Sequence, residues 1–351
     1  MTRITPSGTS EAAGSPRFQI VYRDREGFNR LGNCMPGQLT DEGKASLFKL
    51  GLNLHHAYVF RTPLLKPVPD HGEVHVRSTE VPRAIESAQN LLEGLFPAWA
   101  NGKTGRETPI EININEYKEE YIYPNYTHCS KLKREFDKVA SEIKKTRKEE
   151  LQKYTSHFRQ LDPAVLSKHS TNDIFDSFVC AEAHGIPLPE KLDLEMAQKT
   201  QNLLIEQWWG AFQRVESVRR LGIGRVVGEI ADNLREKAVG KSKVKFHLMS
   251  GHDSTIAPLL IAFDHFDQRW PPFAANVIFE LYEGKNQQGA SSPSVDAHYV
   301  RMLYNNTVLR LPGCKTTAVE DGTLCPLKNF LEIAATATPK DFHLECQEGN
   351  A

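Results

Sequence analysis

A histidine and an aspartate, His252 and Asp253, stand side by side where a predicted strand gives way to a predicted helix. Over residues 243–248 apolar residues alternate with polar ones, which is the period of a half-buried strand. Apolar residues then recur at helical spacing, at Ile256, Leu259, Leu260 and Phe263. An imidazole and a carboxyl beside the free N–H groups of a helix N-terminus suit an anion site that contains an acid. The alternative is a buried His–Asp pair that only satisfies the end of a strand.

The residues around this pair predict a tight turn followed by a capped helix. Ser250 and Gly251 supply the small residues of the turn. We expect Ser254 or Thr255 to cap the helix, and Pro258 to be tolerated in its first turn.

A second charged strand end occurs at Arg77. Residues 74–76 predict a short strand, and a helix opens just after it with Glu80 and Pro82. A guanidinium beside helix N–H groups can hold a phosphate bidentately, whereas pairing with a carboxylate such as Glu80 is the ordinary alternative. A cation at one strand end and an imidazole with a carboxyl at the other fit phosphoryl transfer, in which charge neutralisation and leaving-group protonation dominate.

The amino-acid composition limits the kinds of binding partner expected for this chain. The 351 residues are 40% hydrophobic and 25% charged, as in an ordinary globular protein, and could form one large domain or two. With 43 basic and 44 acidic residues the net charge is −1, which gives no support for a nucleic-acid partner. No apolar stretch reaches the roughly 18 residues of a transmembrane segment. No CxxC pair is present, so no zinc site is expected.

The order of predicted elements indicates an α/β body with an insertion. A helix is expected from about residue 41 to 58 with Thr40 as its N-cap, although Gly43 and Gly51 inside it weaken the pattern. Two strands, near 276–282 and 298–304, read as a β-hairpin.

Strand patterns thin out in the middle of the chain, where mixed-charge helices take over. We therefore expect a mixed sheet flanked by helices, a three-layer αβα body formed by residues 17–115 and 241–351, with a helical cap at 116–240. Residues 1–16 are rich in Ser, Thr, Gly and Pro and are expected to be a disordered leader without a secretory signal.

Two pairs of cysteines could form disulfides. Cys314 and Cys325 bracket a short glycine-containing loop, and Cys129 and Cys346 could tie the tail to the body. Disulfides imply an oxidising compartment, which sits badly with the absent signal and leaves the localisation open.

Several motifs occur in order from about residue 35 to residue 346. They are Gly37-Gln38-Leu39-Thr40, Val76-Arg77-Ser78-Thr79, Tyr123-Pro124-Asn125-Tyr126, His252-Asp253, Trp270-Pro271-Pro272-Phe273-Ala274, Glu280-Leu281-Tyr282 and Leu324-Cys325-Pro326-Leu327. Together these motifs resemble the histidine acid phosphatase family, the two-domain branch of the histidine phosphatase superfamily. Within that family the sequence is most similar to lysophosphatidic acid phosphatases.

The resemblance implies roles for the residues of both strand ends. Asp253 would be the general acid that protonates the departing alcohol, and His252 and Arg77 would hold the phosphoryl oxygens. It further implies the disulfides Cys129–Cys346 and Cys314–Cys325. No metal or organic cofactor is implied, and the substrate would be a small phosphate monoester such as lysophosphatidic acid.

The family's nucleophile motif, Arg-His-Gly-x-Arg-x-Pro, has no match in this sequence. In the family its histidine, at the end of the first strand, forms a phosphohistidine intermediate. Here no histidine precedes His55. In one alignment Phe18–Arg23 replaces that strand with Asp24 in the place of the histidine. In the favoured alignment Tyr22–Gly27 belongs to the loop after the motif, and the first strand is missing.

Two functions follow from these observations. The first is an acid-phosphatase-type phosphomonoesterase. The second is a catalytically impaired relative that binds a phosphorylated ligand through Arg77 and His252. A sugar-phosphate mutase of the same superfamily fits less well, because the large helical insertion and the cysteine pattern are those of the phosphatase branch.

Overall fold

The computed structural model of the chain describes residues 35, 37–102, 109–162, 166, 169–284, 294–314 and 322–347. The expected leader at 1–16 and the two alternatives for 18–27 lie outside the described residues. The described parts of the chain form two compact units, one from Met1–Glu116 with Val244–Ser250 and one from Tyr117–Lys243 with Gly251–Ala351.

The first unit is built on a parallel sheet of three strands in the order β2-β1-β3. Its strands are β1 (Val74–Ser78), β2 (Ile112–Ile114) and β3 (Phe246–Ser250). Its helices are α1 (Asp41–His55), α2 (Pro82–Leu95) and α3 (Pro97–Ala100). The central strand, β1, pairs with β3 from Val74↔Phe246 to Ser78↔Ser250. Because the two strands are parallel and in register, their carboxyl ends meet at the same edge of the sheet.

Glycines bring α1 and α2 together. The backbone of α2 leaves no room for a Cβ at Gly51, which would overlap the carbonyl oxygen of Leu91, and a Cβ at Gly94 would overlap that of Phe48. The expected N-cap is confirmed, since Thr40 Oγ1 accepts a hydrogen bond from the N–H of Gly43 at 3.2 Å. The α-helix ends earlier than expected, and the chain continues as a π-helical segment over His56–Arg61.

The second unit combines a helical core with an antiparallel sheet. Its helices are α4 (Ser130–Thr146), α5 (Lys148–Leu161), α6 (Thr171–Ala183), α7 (Leu194–Arg214), α8 (Glu216–Ala238), α9 (Asp253–Ala262), α10 (Leu327–Ala337) and α11 (Phe342–Gln347). Its strands are β4 (Val277–Glu283), β5 (His298–Tyr304), β6 (Thr307–Leu309) and β7 (Cys325–Pro326). The expected hairpin is confirmed, because β4 and β5 pair in antiparallel register from Val277↔Tyr304 to Glu283↔His298.

The core of the second unit joins helices from both sides of β3 in the sequence. Ala257 and Ile261 of α9 belong to the same buried cluster as Trp209, Phe212 and Leu221 of the helical segment. The α/β class with helices flanking the sheets is confirmed. The expected division into a body and a cap at 116–240 stays a prediction.

Both disulfides implied by the resemblance are formed. Cys129, before α4, is bonded to Cys346 of α11 with a Cα–Cα distance of 4.8 Å, and Cys314 is bonded to Cys325 with 5.5 Å. The Ser130 hydroxyl donates to the carbonyl oxygen of Cys346 at 3.0 Å, which further fixes the C-terminal helix on α4. Among the described helices, none has the length and apolar character needed to cross a bilayer.

Candidate active site

Arg77 lies in the central strand of the parallel sheet. Its side chain is only 6% exposed, and the two residues after it, Ser78 and Thr79, are fully buried. The end of β1 is fixed to its neighbours, because the N–H of Thr79 donates to Ser250 O at 3.2 Å and Ser250 Oγ donates to Ala84 O at 2.7 Å. A buried guanidinium needs compensating polar groups, and one placed before a helix N-terminus is suited to an anion.

His252 is the N-cap residue of α9. Its N–H donates to Thr255 Oγ1 at 3.1 Å, so Thr255 takes part in the cap from the third helical position. The prediction that Ser254 or Thr255 is itself the N-cap is therefore wrong, because the helix starts at Asp253, which puts its N-cap two residues before Ser254. Pro258 is consequently the sixth residue of the helix and lies in its second turn rather than its first.

The carboxyl group of Asp253 is held by two donors. Oδ1 accepts the backbone N–H of Ser254 at 2.7 Å, and Oδ2 accepts the indole Nε1–H of Trp270 at 2.8 Å. With one donor on each oxygen, the plane of the carboxyl group is fixed at the start of α9. Asp253 is thus an oriented acid, as general acid catalysis requires.

Aromatic side chains surround the indole of Trp270. Its ring centroid lies 4.5 Å from that of Trp209, 6.0 Å from that of Trp208 and 6.2 Å from that of Phe175. Trp208 is 43% exposed, whereas Trp209 is buried. The acid therefore has an aromatic wall behind its indole donor.

A second carboxyl group, that of Asp176 in α6, faces this site. Loss of solvent, together with the nearby charges of Asp253 and then Asp173, raises the pKa of Asp176 above the usual aspartate range. The charge on Asp253 is one cause of this shift, so the two carboxyl groups are close enough to interact electrostatically. Asp176 is therefore a second acidic group beside the candidate acid.

The loop of residues 117–126, which is buried at Glu120, Ile122, Pro124 and Asn125, packs against the turn that carries His252. The rings of Tyr123 and His252 meet edge to face with their centroids 5.6 Å apart. Glu120, 1% exposed, accepts the N–H groups of Tyr121 and Ile122 on Oε1, each at 2.7 Å. Asn125 Nδ2 closes the loop by donating to Glu120 O at 3.2 Å. The loop therefore holds a fixed shape beneath the His252 imidazole.

The residues expected to act together come from both units. Arg77 belongs to the parallel-sheet unit, while His252 and Asp253 belong to the other. In the chain, Arg77 pairs in register with Met249, and only two residues separate Met249 from His252. Among the described residues, no three His, Cys, Asp or Glu side chains form a group that could hold a metal ion.

Four residues near His252 and Asp253 were not predicted from the sequence to be site residues. Trp270 and Tyr123 lie in motifs that carried the family resemblance, so a signal for them existed. Glu120 and Asp176 had none, because a buried loop carboxylate and a carboxyl 77 residues away from Asp253 cannot be distinguished from surface acids in one sequence.

Comparison with known proteins identifies the family. The model of the histidine phosphatase superfamily (branch 2) matches residues 9–305. A probable acid phosphatase from Schizosaccharomyces pombe is 27% identical over 365 residues, which cover 90% of this chain and 78% of the relative. Lysophosphatidic acid phosphatase type 6 from Bos taurus is 29% identical over 352 residues, covering 96% of this chain and 75% of the relative.

Solved structures agree on the fold. The apo form of the Hafnia alvei phytase superposes with a TM-score of 0.64 at 13% identity, covering 98% of this chain and 95% of the phytase. An identity this low is informative about architecture only. With the family match over most of the sequence, the chain belongs to branch 2 of the histidine phosphatase superfamily, among relatives that include named acid phosphatases.

Proposed function

We propose that this chain acts on phosphate monoesters, with Arg77 and His252 binding the phosphoryl oxygens and Asp253 protonating the leaving group. The observation that carries the proposal is the Asp253 carboxyl, held at the N-terminus of α9 with a donor on each oxygen. A fixed acid next to helix N–H groups is what the departure of an alcohol from a bound phosphoryl group needs.

The proposed chemistry at the leaving group is a single proton transfer. As an attacking nucleophile, not assigned here, bonds to phosphorus and the P–O bond to the alcohol breaks, the electron pair of that bond goes to the ester oxygen, which takes the proton of Asp253 and departs as a neutral alcohol. A guanidinium can meanwhile bind two phosphoryl oxygens at once and neutralise their charge. Asp253 is left as a carboxylate, and its two hydrogen-bond donors stabilise that form.

The attack on phosphorus is the step that this sequence does not supply in the family's usual form. In the family a histidine takes the phosphoryl group and then passes it to water. No Arg-His-Gly motif occurs in the 351 residues. The proposal therefore assigns phosphate binding and leaving-group protonation to named residues and leaves the nucleophile unassigned.

The proposed substrate is a small or lipid-like phosphate monoester. Support comes from relatives named lysophosphatidic acid phosphatase type 6, of which the bovine and human proteins are 29% and 28% identical to this chain. A lysophospholipid presents one monoester phosphate, which one guanidinium and one imidazole can bind.

Hydrolysis of p-nitrophenyl phosphate and of glycerol 3-phosphate, an ester of an aliphatic alcohol, at mildly acidic pH tests the proposal. The wild-type chain is expected to turn over both esters, and Asp253→Asn is expected to lower kcat for glycerol 3-phosphate by about 10²-fold or more. Asp264→Asn is the matched control, because it makes the same exchange at an exposed position just after α9. Absence of turnover with retained phosphate binding would favour the non-catalytic relative, and absence of both would overturn the proposal.

A further inference from the structure

The hydrogen bond between Trp270 and Asp253 joins residues 17 positions apart in the sequence. The indole Nε1–H donates to Asp253 Oδ2 at 2.8 Å. Tryptophan has one donor and no acceptor, so this bond uses the full polar capacity of the ring. The other carboxyl oxygen is already engaged by the N–H of Ser254. Trp270 is thus the side chain that fixes Asp253 Oδ2.

The indole is itself held in place by the core of its unit. Trp209, which lies against it, is 1% exposed and packs edge to face on Phe266 with ring centroids 5.5 Å apart. Pro271 and Pro272 follow Trp270 directly, and their rings restrict the backbone. A donor mounted on packed aromatic rings and a stiff backbone keeps its direction, as preorganised hydrogen bonds must.

We propose that Trp270 is a positioning residue that aims the Asp253 carboxyl at the leaving oxygen and stabilises the carboxylate formed when the proton is transferred. The inference rests on the proposed role of Asp253 as general acid. When the proton leaves Asp253, the carboxyl group gains a negative charge, and a hydrogen bond to a charged acceptor is stronger than one to a neutral acceptor. The indole bond therefore strengthens as the reaction proceeds, which is the condition for an interaction to accelerate it.

The aromatic surroundings make this bond more effective. Trp208 and Phe175 border the Trp270 ring. A hydrogen bond in a region of low dielectric constant is electrostatically stronger than one in water.

The acidity of the leaving alcohol provides a test that separates positioning from general damage. p-Nitrophenol is a far stronger acid than an aliphatic alcohol, so p-nitrophenyl phosphate needs little help from a proton donor. Glycerol 3-phosphate has an aliphatic leaving oxygen and depends on the donor. Loss of proton delivery must therefore slow the second substrate far more than the first, whereas general damage slows both alike.

Trp270→Phe keeps an aromatic ring and removes only the indole donor. We expect kcat for glycerol 3-phosphate to fall by about tenfold or more, kcat for p-nitrophenyl phosphate to fall less than about threefold, and KM to change little. Trp208→Phe is the matched control, because it makes the same exchange in a ring that borders Trp270. Equal losses on both substrates, or the same selective loss in Trp208→Phe, would overturn the inference.

Asp253→Asn separates failure of the inference from failure of the proposed function. If Asp253→Asn shows the selective loss and Trp270→Phe does not, Trp270 has no positioning role while the general acid stands. If Asp253→Asn loses both substrates equally, the general-acid assignment is wrong and the inference goes with it.

An NMR measurement tests the positioning role of Trp270 even if the chain shows no turnover. The indole N–H resonance of Trp270, assigned with Trp270→Phe in protein labelled with ¹⁵N, is expected to move in Asp253→Asn and to stay in Asp176→Asn. If the indole N–H resonance of Trp270 does not move in Asp253→Asn, the hydrogen bond between the two residues does not exist in solution, which would contradict the inference.

Discussion

Ile122 packs directly on Gly251, the residue before His252. A Cβ added at position 251 would lie 2.7 Å from Ile122 Cγ2 and 2.6 Å from Thr255 Oγ1. Ile122 is fully buried, and the backbone N–H that precedes its side chain is held by Glu120. The contact explains why a glycine stands between β3 and α9, and it links the 117–126 loop to the turn that carries the imidazole.

Gly251→Ala is expected to destabilise the fold and to lower activity. The added methyl overpacks the turn, which costs typically about 1–3 kcal/mol of unfolding free energy. Ile122→Ala removes one of the two closest atoms that the methyl meets, the other being Thr255 Oγ1, and leaves a cavity costing about 2–5 kcal/mol. In the double variant the methyl enters that cavity, so the two losses, measured by urea unfolding, should sum to more than the loss in the double variant. Strict additivity would show that the two residues are not in contact.

Glu120→Gln is expected to loosen the loop beneath His252. The buried carboxylate accepts two backbone N–H groups at 2.7 Å, and bonds of this kind to a charged group contribute about 1.5–3 kcal/mol each to stability. Since the amide oxygen of glutamine keeps part of these bonds, we expect a loss of about 1–3 kcal/mol in urea unfolding. Glu119→Gln, the same exchange at the neighbouring exposed position, should stay within about 0.5 kcal/mol of wild type. Equal behaviour of the two variants would contradict the account of the loop.

The Cys129–Cys346 disulfide is expected to contribute more to stability than Cys314–Cys325. The first spans 217 residues and the second 11. Loop-closure entropy assigns about 5 kcal/mol to the longer span and about 3 kcal/mol to the shorter. Replacing each pair by alanines and comparing thermal unfolding tests the order, with Cys180→Ala, at an exposed free thiol, as control. A larger loss from the short span would contradict the prediction.

Asp176 is expected to make stability fall as the pH rises. Its pKa is raised in the folded chain by loss of solvent and by the carboxylates of Asp253 and Asp173. A carboxyl whose folded pKa lies above its unfolded value, about 3.9, stabilises the fold below that value and loses this contribution as pH rises through the folded pKa. Asp176→Asn should therefore be more stable than wild type near neutral pH, with a difference that shrinks as pH falls through the raised folded pKa and is gone below about 4. A difference independent of pH would contradict the assignment, and Asp264→Asn serves as the exposed control.

The sequence was sufficient for the local elements around the site, because strand and helix periods are properties of neighbouring residues. The strand before His252 and the helix after it follow from the alternation and spacing of apolar side chains. Ser250 was expected in the turn but is the last residue of β3, so the strand runs further than the alternation indicated. The N-cap was harder to predict, because His252 is not among the residue types that usually cap helices. In the structure the helix begins at Asp253, one residue before Ser254, the first of the two expected capping residues.

Contacts between segments that are distant in the sequence could not be predicted from the sequence, because they depend on how those segments pack. Gly51 weakened the pattern of α1 when considered alone, yet it is required where α1 meets Gly94 of α2, and that contact depends on the packing of two distant segments. The pairing of Cys129 with Cys346 came from the family resemblance rather than from spacing. The hydrogen bond from Trp270 to Asp253 joins the start of α9 to the loop after that helix. Neither segment alone predicts the bond, because it depends on how the two segments lie in the fold.

The most direct test of the account is calorimetric titration of the chain with inorganic phosphate. Arg77→Gln and His252→Gln are each expected to weaken binding by about 10–100-fold, because a hydrogen bond to a charged group is worth about 1.5–3 kcal/mol and each 1.4 kcal/mol is tenfold in affinity. Arg83→Gln, at an arginine in the first turn of α2, should bind phosphate as the wild type does. Phosphate affinity that is unchanged in Arg77→Gln and His252→Gln variants with intact folds would contradict the central claim that these two residues hold the phosphoryl group.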